Sequence, residues 1–304
     1  MAPAADAAAP ARYLRWDGPI SPAAADYLDR EIQAAERDGA PLVIIGIDTP
    51  GGLDTSMRRI VRAIAASPVP VAAWVGPSGS RAASAGCVIG LAAHVLAMAP
   101  GTNIGAAHPV AVGGGAVDST MAGKVANDAE AYVAALARQR NRNESWAREA
   151  VTKSLSASAE EAVRLGVADL VAVDPADLLH KLDGRSLATP GGTRTLSTLG
   201  LGIEERHRDW RTDLLALLTD PNVAYILLLL GMYGLFFELA NPGALFPGVF
   251  GIVSLILGLY GLSNLPVSTA GLLLILAGLS MLLLEIKIAS HGLLAIGGVV
   301  ALAS

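Results

Sequence analysis

From residue 223 to residue 304 the chain carries only three charged side chains, Glu238, Glu285 and Lys287. A water-facing surface cannot be built from such a segment, so it has to lie in lipid or be buried on every side. Three apolar stretches, at about 223–239, 245–262 and 267–284, approach the roughly 20 residues that span a bilayer as a helix. A fourth begins at Gly292. The separators are short and turn-rich (Asn241-Pro242-Gly243 and Ser263-Asn264-Leu265-Pro266), which makes neighbouring helices antiparallel. Glycines at 231, 234, 251, 258, 271 and 278 suit close helix packing in lipid. Lys287 is the one basic residue in a short loop; with it on the cytoplasmic side, the preceding part of the chain is extracytoplasmic.

Residues 1–222 have the composition of a soluble domain, so the low overall share of charged residues, 16%, comes from the apolar end. The net charge of −5 argues against nucleic-acid binding. One cysteine excludes an intrachain disulfide and any CxxC metal site, and no His/Asp/Glu cluster has metal-ligand spacing. The start, MAPAADAAAPARY, has neither the charged nor the apolar region of a secretory signal. The end falls inside an apolar run. Both features lead us to expect a shortened chain.

The soluble part alternates strand and helix. Residues 21–38 repeat apolar side chains at helical spacing (Leu28, Ile32, Ala35), with Ser21 as N-cap and Pro22 at the first helical position. Residues 42–47 form a continuous apolar run, as in a strand buried on both faces. A helix at 53–66, a strand at 71–75, a helix at 83–93, strands at 94–98 and near 103–107, a long helix at 119–140, a short helix at 159–166 and a strand at 167–173 complete an α/β pattern with a mainly parallel sheet. Residues 184–200 read as a hairpin or linker, and 208–219 as an amphipathic helix leading into the first membrane helix. The resulting division is 1–11 as a leftover segment, 12–183 as the α/β domain, 184–222 as linker and 223–304 as the membrane domain.

Chemistry concentrates at 71–109. An apolar strand runs into a Gly/Ser loop, and Ser84 follows in the first turn of a helix of small residues. A helix N-terminus leaves N–H groups unpaired and carries partial positive charge, so an oxyanion forming there is stabilised. Ser78 and Ser80 read as loop formers, Cys87 as a buried core residue and His94 as structural.

Three motifs in fixed order, Ile47-Asp48-Thr49-Pro50-Gly51-Gly52, Ala82-Ala83-Ser84-Ala85-Gly86 and Met98-Ala99-Pro100-Gly101-Thr102-Asn103-Ile104-Gly105-Ala106, resemble those of the NfeD family of membrane-bound serine proteases, within the ClpP/crotonase superfamily. Lys124, Asn127, Arg142-Asn143 and residues 220–225 fit the same family, so the resemblance covers nearly the whole chain. It implies a ClpP/crotonase-like α/β domain followed by an α-helical transmembrane domain. It also implies a Ser–Lys dyad: Ser84 as nucleophile, Lys124 as general base, and an oxyanion hole of backbone N–H groups at Gly51, Gly52 and Ala85. No cofactor is implied. The expected partners are a stomatin-like membrane protein, as substrate or associate, membrane lipid, and further copies of the chain. The expected location is a bacterial inner or plasma membrane. Family members often begin with a signal peptide and end in a small OB-like barrel, consistent with a shortened chain.

A lysine serves as base only when burial or positive charge brings its ordinary pKa of about 10.4 down. The uncharged neighbours Met121, Ala122, Gly123, Val125 and Ala126 permit that, whereas Asp128, one turn on, would hold the ammonium charged. His108, 24 residues after Ser84, is the rival base or a substrate-groove residue. It needs no unusual pKa but does need an orienting carboxylate, with Asp118 and Asp128 available. Two other readings stand beside the protease: a non-proteolytic scaffold for stomatin-like proteins and a crotonase-like acyl-CoA enzyme. The latter explains neither the membrane helices nor the Ser/Lys pair. Gly113-Gly114-Gly115 suggests a loop that orders when substrate or partner binds.

Overall fold

The computed structural model describes residues 9–110, 119–241, 246–263 and 292–303, together with positions 274, 277, 278, 281, 284 and 285. The Gly113–Gly115 loop, Asp118 and most of the third apolar stretch lie outside the described residues. The chain divides into two compact units, the second taken up from Leu214.

In the first unit, β1 (Ala11–Asp17), β2 (Val43–Asp48), β3 (Val71–Val75), β5 (Val95–Met98), β8 (Leu170–Val171) and β11 (Ile203–Arg206) form one sheet in the order β11-β1-β2-β3-β5-β8. Every pairing in it is parallel. β3 and β5 are buried along their whole length, which is why they read as unbroken apolar runs rather than alternating ones. A second sheet, β4-β6-β7, sets β4 (Arg81–Ala83) parallel to β6 (Asn103–Gly105) and β6 antiparallel to β7 (Ser156–Ser158).

Helices α1 (Pro22–Arg37), α2 (Asp54–Ala66), α3 (Ala85–Ala92), α4 (Ser119–Gln139), α5 (Glu144–Thr152), α6 (Ala159–Arg164) and α7 (Pro175–Leu182) cover these sheets. Ser21 caps α1 through its Oγ, which accepts from Ala24 N–H at 3.3 Å. α3 is buried at every position, so its small residues are what allow it to sit inside the domain. Residues 184–200, read as hairpin or linker, contain the antiparallel hairpin β9 (Ser186–Thr189) and β10 (Gly192–Thr195). Residues 203–206, assigned to the linker, instead complete the sheet as its edge strand β11. Only Leu170 and Val171 of the expected strand 167–173 pair.

The second unit contains α9 (Pro221–Ala240), α10 (Phe246–Leu262) and α11 (Leu293–Ala303), preceded by the end of α8 (Trp210–Leu218). α9 has 20 residues, and an 18-residue window within it has mean hydropathy 2.0. At 1.5 Å per residue the helix is about 30 Å long, the thickness of a bilayer's hydrocarbon core. Asp220 caps it, accepting from Asn222 N–H at 2.8 Å, with Pro221 at the first helical position. α9 and α10 approach until a Cβ on Gly234 would stand 2.8 Å from Gly251 Cα, so their backbones pack without intervening side chains.

The apolar sequence also repeats. Gly231, Glu238, Gly251 and Leu255 recur 47 positions later as Gly278, Glu285, Gly298 and Leu302. Both glutamates do the same thing: Glu238 Oε2 accepts from Gly248 N–H at 3.4 Å and Glu285 Oε2 from Ala295 N–H at 3.2 Å, each donor ten residues on in the first turn of the next helix. The carboxylates satisfy N–H groups that lipid would leave unpaired.

Candidate active site

Ser84 joins β4 to α3 with φ 52° and ψ −113°, a backbone conformation that a residue with a Cβ rarely adopts. Its surroundings hold it there. Ser84 N–H donates to Gly105 O at 3.0 Å and Ala83 N–H to Thr49 O at 3.1 Å. The side chain is half-buried, and among the described residues it makes no hydrogen bond, not even to the helix it precedes. A strained, unengaged serine at a strand-to-helix turn is the local form a nucleophile takes.

The second wall is the loop after β2. Gly51 has φ 123°, and a Cβ on it would stand 2.8 Å from Ser84 Cβ and 3.2 Å from Ser84 Oγ. Only glycine fits both the conformation and the space. A Cβ on Gly52, at φ 159°, would collide with Ile20 O. The three donors expected for an oxyanion are not equivalent. Gly51 N–H is engaged by Thr49 Oγ1 at 3.1 Å. Gly52 N–H and Ala85 N–H have no hydrogen-bond acceptor among the described residues. An oxyanion requires free donors, and in this conformation Gly52 and Ala85, of the three expected positions, each offer one.

The two candidate bases are placed differently. Lys124 lies in the first half of α4, where residues 121–125 are all exposed. The apolar surroundings that its neighbours permit are not formed: α4 turns its buried side, Val133, Ala134, Leu136 and Ala137, to the domain only in its second half. Among the described residues Lys124 has no ion pair or hydrogen bond, and Asp128 is paired with Arg58 of α2 instead. His108 donates Nδ1–H to the Val151 carbonyl at 2.8 Å. The position that a carboxylate takes in a Ser–His–Asp triad is therefore filled by a backbone oxygen, which selects the tautomer whose Nε2 is the acceptor.

Neither of the other reactive side chains in this stretch belongs to the site. Cys87 is fully buried in α3, and burial pushes its thiol up to about 12. His94 is buried at the head of β5 and accepts from Val71 N–H through Nδ1. Burial, then Arg140 and Arg142, push it down to about 4. These arginines serve α3, the helix that follows Ser84. Arg140 Nε donates to Ala92 O at 2.9 Å, and Arg142 Nη1 to Leu91 O and Ala93 O at 2.8 and 2.9 Å. They satisfy the last carbonyls of α3 and complement its negative end. Among the described residues no group of His, Cys, Asp or Glu could hold a metal ion.

Sequence reading passed over Thr49 and Ile20. Thr49 lies inside the quoted Ile47–Gly52 motif, but its role depends on the hydroxyl direction. Ile20 acts through its backbone, for which a sequence has no sign.

Two family models match: the N-terminal domain of NfeD1b over residues 18–186 and the NfeD integral membrane domain over residues 222–304. Membrane-bound protease PH1510 of Pyrococcus horikoshii is 36% identical over 288 residues, covering 93% of this chain and 65% of that protein. Membrane protein NfeD1b of Bacillus subtilis is 32% identical over 295 residues, covering 91% and 62%. The chain thus spans just under two thirds of the length of these relatives. Among solved structures, the membrane-bound stomatin-specific protease 1510-N matches with TM-score 0.62 at 36% identity in a serine-to-alanine variant, over 67% of this chain and all of that one. A lysine-to-alanine variant in complex with a substrate peptide matches with TM-score 0.63 at 35% identity, over 68% and 96%.

Proposed function

The chain belongs to the NfeD family, and on that premise we propose that it is a membrane-anchored serine endopeptidase with Ser84 as nucleophile and Lys124 as general base. The observation that carries the proposal is the contact of Ser84, held at φ 52°, with the Gly51–Gly52 loop and the free N–H of Ala85. Ser84 Oγ attacks the substrate carbonyl carbon while its proton passes to the uncharged Lys124 amine. Negative charge gathers on the former carbonyl oxygen and is met by Gly52 N–H and Ala85 N–H. Collapse of the intermediate expels the amine, which takes the proton back from Lys124 and leaves an acyl-enzyme. Water then repeats the sequence. The transfer requires the Lys124 amine within hydrogen-bond reach of Ser84 Oγ.

The catalytic unit is continuous in sequence with the membrane helices and is thereby tethered to a bilayer, so apolar juxtamembrane segments of other membrane proteins are the proposed substrates. The name of 1510-N makes a stomatin-like protein the first to try. We place the chain in a bacterial inner or plasma membrane, in contact with lipid, as a homo-oligomer with its catalytic unit extracytoplasmic. A second reading, with His108 as base, is favoured by the hydrogen bond to Val151 that leaves Nε2 as acceptor.

The test compares wild type with Ser84→Ala, Lys124→Ala and His108→Ala for cleavage of apolar peptides. Loss in the first two alone supports the dyad. Loss in Ser84→Ala and His108→Ala alone supports the histidine, and normal cleavage by Ser84→Ala contradicts the enzyme reading.

A further inference from the structure

We propose that Thr49 is a positioning residue that presets the oxyanion donor of Gly52 and locks it to the nucleophile; the inference rests on the serine-protease reading. Thr49 is fully buried and follows the last residue of β2. Every polar atom it has is spent on one or other half of the site. Its N–H donates to Arg81 O at 2.8 Å and its carbonyl accepts from Ala83 N–H at 3.1 Å, so its backbone braces β4, the strand that delivers Ser84. Its Oγ1 accepts from Gly51 N–H at 3.1 Å and donates to Gly51 O at 3.1 Å. Its methyl occupies the place where a Cβ on Gly86 would be, 2.5 Å from Cγ2, so it also packs on the first turn of α3.

The hydroxyl bond to Gly51 O has the largest consequence. That carbonyl belongs to the same peptide unit as Gly52 N–H, and in a planar trans peptide the two point in opposite directions. Ile20 N–H donates to Gly51 O at 2.8 Å and Thr49 Oγ1 donates to it as well. With its carbonyl held twice, the Gly51–Gly52 peptide cannot rotate, and Gly52 N–H stays on the opposite side, where it has no acceptor among the described residues. Glycines at 51 and 52 would otherwise make this peptide one of the easiest in the domain to flip. A flipped peptide would present a carbonyl to the developing negative charge. Thr49 thus stabilises the transition state through Gly52 and touches no substrate itself.

The test uses the full chain in detergent or bilayer discs, an apolar peptide substrate, and a peptide aldehyde whose adduct on Ser84 carries the same oxyanion. Thr49→Val keeps the shape and removes the hydroxyl. The proposal predicts a fall in kcat of about tenfold with KM within about twofold, weaker aldehyde inhibition by a similar factor, and recovery to near wild-type kcat in Thr49→Ser. Should Thr49→Val not fold, Thr49→Ala against Thr49→Ser makes the same comparison. A wild-type kcat in Thr49→Val, or Thr49→Ser as slow as Thr49→Val, overturns the positioning role and leaves the protease reading intact. Absence of Ser84-dependent turnover in the wild type overturns both.

Discussion

Asp128 Oδ2 lies 2.5 Å from Arg58 Nη2, so the carboxylate one helical turn beyond Lys124 is bound to α2 rather than to the lysine. The same guanidinium also holds Asp54 and stacks over Tyr132, 4.4 Å from the ring centre. Arg58 thereby ties α4 to α2 and takes up the one acidic group on the C-terminal side of Lys124 within a turn.

Removing that guanidinium frees Asp128 to attract the lysine's ammonium form. Arg58→Ala is predicted to lower activity at neutral pH and to move the rise of the pH–rate profile to higher pH, and adding Asp128→Asn is predicted to reverse the move. Profiles of kcat against pH for the three proteins check this. An unchanged profile in Arg58→Ala would separate Asp128 from the base.

Gly51 tolerates no side chain. A Cβ there meets Ser84 Cβ at 2.8 Å and requires a left-handed φ of 123°. Gly51→Ala is predicted to cut kcat by about a hundredfold or more, because the displaced loop carries the Gly52 N–H away from the oxyanion. Strain of about 1–3 kcal/mol would add a drop in thermal midpoint. Activity and melting curves measured together distinguish the local clash from general unfolding.

His94 makes the first unit sensitive to acid. Its folded pKa of about 4 lies below the unfolded value near 6.5, so the unfolded chain binds the proton first. The stability tied to its neutral form is complete above pH 6.5 and is lost as pH falls toward 4. The total is on the order of 3 kcal/mol. His94→Gln keeps an acceptor for Val71 N–H without a titrating ring, and its stability is predicted to change less over that window. Denaturant midpoints at pH 7, 5.5 and 4.5 measure the difference.

Glu238 and Glu285 perform one task twice in the membrane unit. Glu238→Ala and Glu285→Ala are each predicted to destabilise it by about 1–2 kcal/mol, in the range of a lost N-cap. The glutamine variants, which keep an acceptor oxygen, should lose less. Thermal midpoints in detergent compare them, and a harmless Glu285→Ala beside a damaging Glu238→Ala would break the equivalence.

What the sequence shows best is what local pattern decides. The runs at 42–47 and 71–75 became β2 and β3 because a strand buried on both faces has no polar alternation to hide it. Ser21 and Pro22 marked the start of α1 because capping chemistry is local. β11 was read as linker because its place depends on β1, almost 200 residues away, and its four residues alternate too briefly to signal a strand. Lys124 shows a second limit. Small apolar neighbours permit burial but do not cause it, and α4 is covered only where α5 and the domain core reach it. At Gly51 the motif was visible while the direction of the N–H was not, because Thr49 Oγ1 sets that direction.

The account's central claim is that Ser84 is a nucleophile activated by Lys124. The most direct measurement is the intact mass of the full chain after reaction with a fluorophosphonate, followed over time at several pH values. The account predicts one adduct, on Ser84, forming faster as pH rises. It should be absent in Ser84→Ala, at least a hundredfold slower in Lys124→Ala, and undiminished in His108→Ala. An adduct that persists in Ser84→Ala, or a Lys124→Ala protein that reacts at the wild-type rate, would contradict it.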